Sequence, residues 1–460
     1  MNTKYSLIMD DLKKKITDGS LKSGTKIPSI RMLSEQYSCS KNTIIKAYNE
    51  LENQHLIYSI PKSGYYVVNH ENHMNDKSNK VIIDFLSAGP DKKAMPYEDF
   101  QHCFNQAINL YKEELFTYSH QQGLPSLRKE LTKHLQDRQV FTDLQRILIT
   151  SGSQQALHLL VHMPFPNGKT NILVEQPTYS GMIESVKVHH VKTFGIEVDM
   201  EGIDLERLEY LFKHNNIKFF YIIPRFHNPL GHSYSNKVKK KIVELATKYD
   251  VYIVEDDIFG DLDLNTKSDP MFTYDPTGRV IYLKSFSKIM LPGLRIGLAI
   301  LPELLINTFS RYKFSSDLFS TTISQGALEL YLKSGMFNAH IERIRDLYST
   351  KMKMVIQSCE KHLSPDVLFT KPKSGFYLSI YLPKMIQANR LMTMLQQDNV
   401  LVVDAKRMYL PEFQKNSLIR LCISQVDITQ IDQGIEKLAK NINKLKIHQV
   451  FFVENTNHLL

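Results

Sequence analysis

Hydrophobic and polar positions change their rhythm twice along the chain. Tyr5, Leu7, Ile8, Leu12 and Ile16 recur at mixed three- and four-residue spacing, which predicts one amphipathic helix ending at Asp18-Gly19. The stretch LKSGTKIPS carries turn chemistry, and Pro28-Ser29 opens a second predicted helix from Ile30 to Tyr37. A third helix follows Ser38-Cys39-Ser40. Its buried stripe is Ile44, Ala47, Tyr48 and Leu51, with Lys41, Asn42, Thr43 and Lys46 toward the opposite side. Leu56–Tyr58 and Tyr65–Val68 then alternate as two short strands around Pro61-Lys62-Ser63-Gly64. Three helices and a β-wing make a winged helix-turn-helix, α+β but mostly α, over residues 1–68.

Residues 69–80, NHENHMNDKSNK, hold Met74 as their one large apolar side chain and read as a flexible polar linker. Beyond it the rhythm becomes that of an α/β fold. The apolar runs Ile147–Thr150, Asn171–Val174, Phe219–Ile223, Tyr252–Val254 and Val280–Leu283 have strand length and alternate with helix-length amphipathic segments. That pattern predicts a mostly parallel sheet wrapped by helices over residues 81–445, with 446–460 left as a C-terminal tail. In such folds ligand chemistry gathers beyond the C-terminal ends of the strands.

Composition narrows the classes without choosing among them. With 460 residues, 42% of them hydrophobic and 23% charged, the chain has material for a large core and lacks the polarity of a disordered one. No window approaches the apolar length of a membrane span, and the lysine-interrupted N-terminus offers no signal-peptide core. Cys39, Cys103, Cys359 and Cys422 lie far apart without CxxC spacing, which excludes a disulfide framework or zinc finger and points to the reducing cytoplasm. Residues 1–68 carry ten Lys/Arg against six Asp/Glu. Such a segment suits nucleic acid or a solvated surface, and charge alone does not decide.

Side-chain chemistry decides more. A recognition helix needs one face fixed in the core and a polar, basic first turn to reach base edges and phosphates. Ser40, Lys41, Asn42, Thr43 and Lys46 meet that need. Arg31 can reach the backbone from the second helix, and Lys62, Ser63 and Gly64 can reach phosphate or minor groove from the wing. Taken singly, each also suits a solvated surface. Together, residues 27–67 resemble the GntR-type winged helix, whose pattern P-S-x-R-x-L, S-R-x-T-V and G-x-G-x-x-V runs through IPSIRML, SKNTI and SGYYV. Lys41 stands where arginine is commoner. The resemblance implies binding to a double-stranded DNA operator.

In the larger segment, Lys288 ends the run Ser285-Phe286-Ser287-Lys288 directly after a predicted strand, with Arg295 seven residues on. An amine there can form a Schiff base with an aldehyde cofactor, and the hydroxyls and guanidinium beside it suit an anchored phosphate. Ser151-Gly152-Ser153-Gln154-Gln155 follows a strand and opens a helix, an arrangement that presents backbone N–H groups to an anion. Glu255-Asp256-Asp257 ends another strand and offers the acid that a pyridinium nitrogen needs. A solvated loop or a metal site are the other readings of these acids, the metal disfavoured by the lack of suitably spaced histidines. His227-Asn228-Pro229-Leu230-Gly231 sets an amide in a turn.

In this order the motifs are similar to those of fold-type-I, class I/II aminotransferases, over about residues 81–445. The resemblance implies pyridoxal 5'-phosphate as cofactor, linked to Lys288, with Asp256 on the pyridine nitrogen, Asn228 on the ring hydroxyl and Tyr179 of EQPTY stacked on the ring. Ser153, Gln154, Ser285, Ser287 and Arg295 would hold the phosphate. Tyr118 would reach the phosphate of a second subunit, which implies a homodimer. Arg420 in SLIRLCIS would clamp a substrate or effector carboxylate, with Gly89 in the adjoining loop. Phe259 departs from the pattern, since the family usually has a tyrosine two or three residues after the aspartate, donating to the ring oxygen. A GntR-like head fused to such a domain resembles the MocR subfamily of bacterial transcription regulators. Three functions follow from the resemblance: a regulator sensing an amino compound, a regulator sensing the cofactor itself, and a working aminotransferase with an accessory DNA-binding head.

Overall fold

The computed structural model describes residues 4–22, 24–54, 56–60, 63–68, 81–264 and 268–457. Lys62 of the wing, the 69–80 linker and the last three residues of the expected tail lie outside them. The chain divides into two compact units, Met1–Lys80 and Val81–Leu460. No described helix is long and apolar enough to cross a membrane.

The small unit is the winged helix-turn-helix that its periodicity predicts. Helices α1 (Lys4–Thr17), α2 (Ile30–Gln36) and α3 (Lys41–Asn53) precede strands β1 (Ile57–Ile60) and β2 (Gly64–Val67). Ser29 caps α2 by accepting from the Met32 N–H, and Ser40 caps α3 by accepting from the Thr43 N–H, so each helix starts where a hydroxyl satisfies an orphan donor. Ile44, Ala47, Tyr48 and Leu51 of α3 are fully buried against Ile8, Leu12 and Leu33. The antiparallel wing pairs Ile57 with Val67 and Ile60 with Gly64.

The large unit is built on a seven-stranded sheet: β3 (Ile147–Thr150), β4 (Asn171–Gln176), β5 (Thr193–Glu197), β6 (Ile217–Ile222), β7 (Tyr252–Asp256), β8 (Val280–Ser285) and β9 (Gly297–Ile300). Their order is β3-β9-β8-β7-β6-β4-β5. All neighbours are parallel except β9, which runs against both β3 and β8. Both faces of the sheet are covered, which is why its strands read as unbroken apolar runs. Alternate residues feed two cores: Ile147, Ile149, Phe220 and Ile222 face one, while Leu148, Phe219, Tyr221 and Val254 face the other. Strands β5 and β9 escape the apolar-run reading. Thr193–Glu197 is a half-exposed edge, and Gly297–Ile300 is short and built partly of small residues.

A second, antiparallel sheet of β10 (Leu368–Phe369), β11 (Tyr377–Tyr381), β12 (Val403–Asp404) and β13 (Leu418–Cys422) has the order β10-β11-β13-β12. Its register sets Arg420 opposite Ser379 and Val403. The last helix, Ile431–Asn457, passes residue 445 without a break, so the expected tail is largely the continuation of that helix.

Candidate functional site

A cavity of about 180 Å³ opens where the C-terminal ends of β4, β6, β7 and β8 meet the start of helix α4 (Ser153–His162). Of the residues expected from sequence, it brings together Gly89, Ser153, Gln154, Tyr179, Asn228, Ser285, Ser287, Lys288 and Arg295. Phe259, Tyr377, Ile223, Ile258 and Pro292 complete the wall.

One end of the cavity is an anion cradle. Gly152, at φ 79°, turns the chain from β3 into α4 and leaves the first N–H groups of the helix without intrahelical acceptors. The Arg295 guanidinium folds over this turn, with Nη2 donating to the Ser151 carbonyl at 3.1 Å and Nη1 lying 3.5 Å from the Ser287 hydroxyl. Space is tight. A methyl at Gly152 would stand 2.6 Å from Arg295 Nη2, and one at Gly297 would stand 2.8 Å from the Gly152 carbonyl carbon. Gln154 has a local task as well, since its Nε2 donates to Gly181 O and Ser185 Oγ, each at 3.0 Å.

Lys288 Nζ donates to the Ala88 carbonyl at 2.6 Å. Burial, reinforced by the Arg420 and Arg295 charges and partly offset by Cys422, holds the ammonium below the usual lysine range. A lysine poised toward its neutral form is the nucleophile an aldehyde requires. Asp256, fully buried at the end of β7, accepts from the Tyr221 hydroxyl at 2.6 Å through Oδ2. Its Oδ1 is equally buried and has no partner among the described residues. Burial raises the carboxyl to about 7, against the pull of the Tyr221 bond. An orphaned carboxylate oxygen costs free energy unless a ligand supplies a proton or a cation. The nitrogen of a pyridine ring supplies the first, so the residues fit pyridoxal phosphate: cradle, amine and buried acid.

Arg420 approaches from the second sheet. Its Nη1 donates to Asn228 Oδ1 and its Nη2 to the Leu86 carbonyl, both at 3.3 Å, while its buried Nε has no partner among the described residues. The guanidinium carbon lies 4.7 Å from the Tyr377 ring centroid. Gly89 adjoins this region, its Cα so close to Gln425 that a methyl would stand 2.7 Å from Nε2. Phe259 packs its ring on Phe376 and Tyr377, at 4.8 and 5.6 Å between centroids. Tyr118 is not in the cavity. It is 87% exposed and packs edge-on against Phe319.

Sequence reasoning missed Tyr221 and Tyr377. Tyr221 sits inside an apolar run that reads as core, and Tyr377 lies in a strand remote in sequence from every motif of the site. Only the alternation of β6 hints that Tyr221 shares the face of Phe219.

In the small unit Lys41 and Asn42 are exposed on the first turn of α3, and Thr43 is half-buried beside them. Other expected DNA contacts already have partners within the chain. The Ser40 hydroxyl accepts from the Thr43 N–H, Arg31 Nε bonds Glu35 at 3.2 Å, and Lys46 Nζ lies 4.4 Å above the Tyr5 ring. Ser63 Oγ meets the Tyr66 hydroxyl at 2.7 Å, and Gly64 takes a φ of 119° that no other residue adopts easily.

Fold and cavity together define a pyridoxal-phosphate-type transferase domain carried by a DNA-binding head. Residues 71–438 match the model of the family "Aminotransferase class I and II", and residues 4–67 match that of the "Bacterial regulatory proteins, gntR family". A Bacillus subtilis protein named as an uncharacterized HTH-type transcriptional regulator, YcxD, is 44% identical over 443 residues, covering 95% of this chain and all of the relative. The aromatic-amino-acid aminotransferase 1 of Thermococcus litoralis is 30% identical over 79% of this chain and 88% of its own. The crystal structure of kynurenine aminotransferase from Pyrococcus horikoshii superposes with a TM-score of 0.74 at 30% identity, covering 79% of this chain and 91% of that one. The chain belongs to the class I and II aminotransferase family and joins to it a gntR-family head, the architecture of the MocR regulators.

Proposed function

We propose that this regulator reads an amino compound through pyridoxal phosphate held in the cavity, and that the ligand alters its affinity for operator DNA. The observation that carries the reading is the buried, unpartnered Oδ1 of Asp256 in a chain that also presents Lys288, the Arg295 cradle and an exposed recognition helix. When bound, the cofactor supplies an aldehyde carbon for amines and an electron-withdrawing ring. Arg295, Ser285, Ser287, Ser153 and the N-terminus of α4 bind its phosphate dianion, with Gln154 bracing the Gly181 turn beside them. Asp256 keeps a proton on the ring nitrogen, Asn228 donates to the ring oxygen and Tyr179 covers a ring face. Lys288 would offer its amine to the aldehyde. Arg420 receives the carboxylate of an amino acid, with Gly89 closing the loop around it.

The protein acts as a cytoplasmic homodimer in this reading, with Tyr118 reaching the phosphate site of the second copy. Its exposure within one chain supports that role. Ligand and operator change each other's affinity by the same factor, as linkage demands. Lys41→Ala is expected to weaken binding to a duplex selected from a randomised DNA library, and to lower the salt slope of that binding by about one. An unchanged slope would move phosphate contact off the first turn of α3.

The test of the whole reading combines the visible absorption of the purified protein with operator affinity, each measured with and without amino acids. A band that amino acids shift, accompanied by a change in DNA affinity, is the expected result. Full bleaching by an amino acid and recovery with a keto acid would favour the aminotransferase instead, a reading that Arg420 and the complete cradle support. DNA affinity that responds to pyridoxal phosphate with no amine present would make the cofactor itself the signal.

A further inference from the structure

The cavity wall holds one polar group that the reading above leaves idle. Tyr377 on β11 is 2% exposed, yet no described residue donates to or accepts from its hydroxyl. Tyr377 lines the cavity and its oxygen keeps access to it, so the hydroxyl is open to a group bound there. Burial holds this phenol above the ordinary tyrosine range, so it stays protonated and able to donate throughout neutral pH. The ring is edge-on to Phe259, and the Arg420 guanidinium lies over it while donating to Asn228 Oδ1. Tyr377, Phe259 and Asn228 are therefore neighbours in one stretch of wall. Because Arg420 occupies the Asn228 carbonyl oxygen, the amide of Asn228 is left with its N–H groups to give. Phe259 has nothing to give.

A pyridoxal phosphate ring carries an oxygen that gains negative charge when the lysine-linked nitrogen loses or shares its proton. Such an oxygen is best held by more than one donor. We propose that Tyr377 donates a hydrogen bond to this ring oxygen beside Asn228, filling the position that Phe259 leaves without a donor. The inference rests on the cofactor reading and deepens it. The two aromatic positions have exchanged tasks: Phe259 packs, and Tyr377 bonds.

The experiment titrates the visible band of the full-length protein, reconstituted with pyridoxal phosphate, against pH. Parent, Tyr377→Phe, Lys288→Ala and the double variant Tyr377→Phe/Phe259→Tyr are compared. Removing a donor disfavours the anionic oxygen, so the lysine-linked nitrogen should keep its proton to higher pH. In Tyr377→Phe the midpoint is expected to rise by about 1–2 pH units, the size of one hydrogen bond to a charged oxygen. The double variant, with a phenol restored from the neighbouring position, should return toward the parent. Phenylalanine keeps the ring, and the lost hydroxyl has no protein partner, so the fold has no reason to fail. An unchanged midpoint in Tyr377→Phe overturns the inference. So does an unchanged midpoint with weakened amino-acid binding, which would assign the hydroxyl to the ligand. No band in the parent, or an undiminished band in Lys288→Ala, removes the cofactor reading itself and this inference with it.

Discussion

Asp256→Asn is expected to separate the stability of the large unit from its chemistry. The side chain keeps its shape, and the Tyr221 hydroxyl can donate to an amide oxygen as it does to Oδ2. What is lost is the carboxylate that would hold a proton on the ring nitrogen. Removing one partner from a buried charged pair costs about 3–5 kcal/mol, equivalent to about 10²–10⁴-fold. Cofactor affinity, or the rate at which bound cofactor reacts with amines, should fall by that order, as absorbance titration and rapid mixing would show. Without cofactor the effect reverses. The folded-state pKa of Asp256 is raised to about 7, so the native chain binds a proton that the unfolded chain has already released. Stability therefore falls as pH rises from about 4 toward 7, by about 1.4 kcal/mol for each pH unit over which the two states differ by one proton. Asparagine removes this contribution. The cofactor-free variant should melt no lower than the parent at pH 8 and show a flatter pH dependence. A variant that melts well below the parent there, with unaltered amine reactivity, would make Asp256 an ordinary structural acid.

The contrast between Asp256 and Tyr377 shows what could be read from the chain. Lys288, Asp256 and Ser153 were legible because each follows an apolar run, and the ends of parallel strands converge by topology alone. The stripe of α3 was legible because it obeys a local period. Tyr377 and the bond from Arg420 to Asn228 were not, since they depend on the second sheet docking against the first across long stretches of sequence. Local polar chemistry also hid competing tasks. Ser40, Arg31 and Lys46 suit either DNA or a solvated surface by residue type, and in the fold a cap, an i,i+4 ion pair and a cation–π contact engage them. Sequence shows that such groups are polar and surface-directed, while their partners become visible only once the helices are packed.

Arg420→Met should expose what class of molecule the cavity was built to receive. The guanidinium is nearly buried, and in the absence of ligand it is shared between two neutral oxygens with its Nε unpaired. A buried cation so placed is poorly compensated until an anion arrives, and a carboxylate can engage two of its N–H groups at once. The parent is therefore expected to respond to an α-amino acid far more strongly than to the amine of the same side chain lacking the carboxylate. Truncating one partner of a buried charged pair typically costs about 2–5 kcal/mol, so Arg420→Met should shrink that preference by about 30- to 5,000-fold, read as the ratio of apparent affinities in the visible band. Methionine preserves much of the aliphatic stem while removing the guanidinium from over Tyr377, and the response to simple amines should survive. Asn228 loses its donor in the same variant, so a modest move of the band's pH midpoint should accompany the change without accounting for it. If the preference is absent from the parent, the ligand is an amine without a carboxylate. Arg420 would then serve to orient Asn228, and the sensor would read the amino group alone.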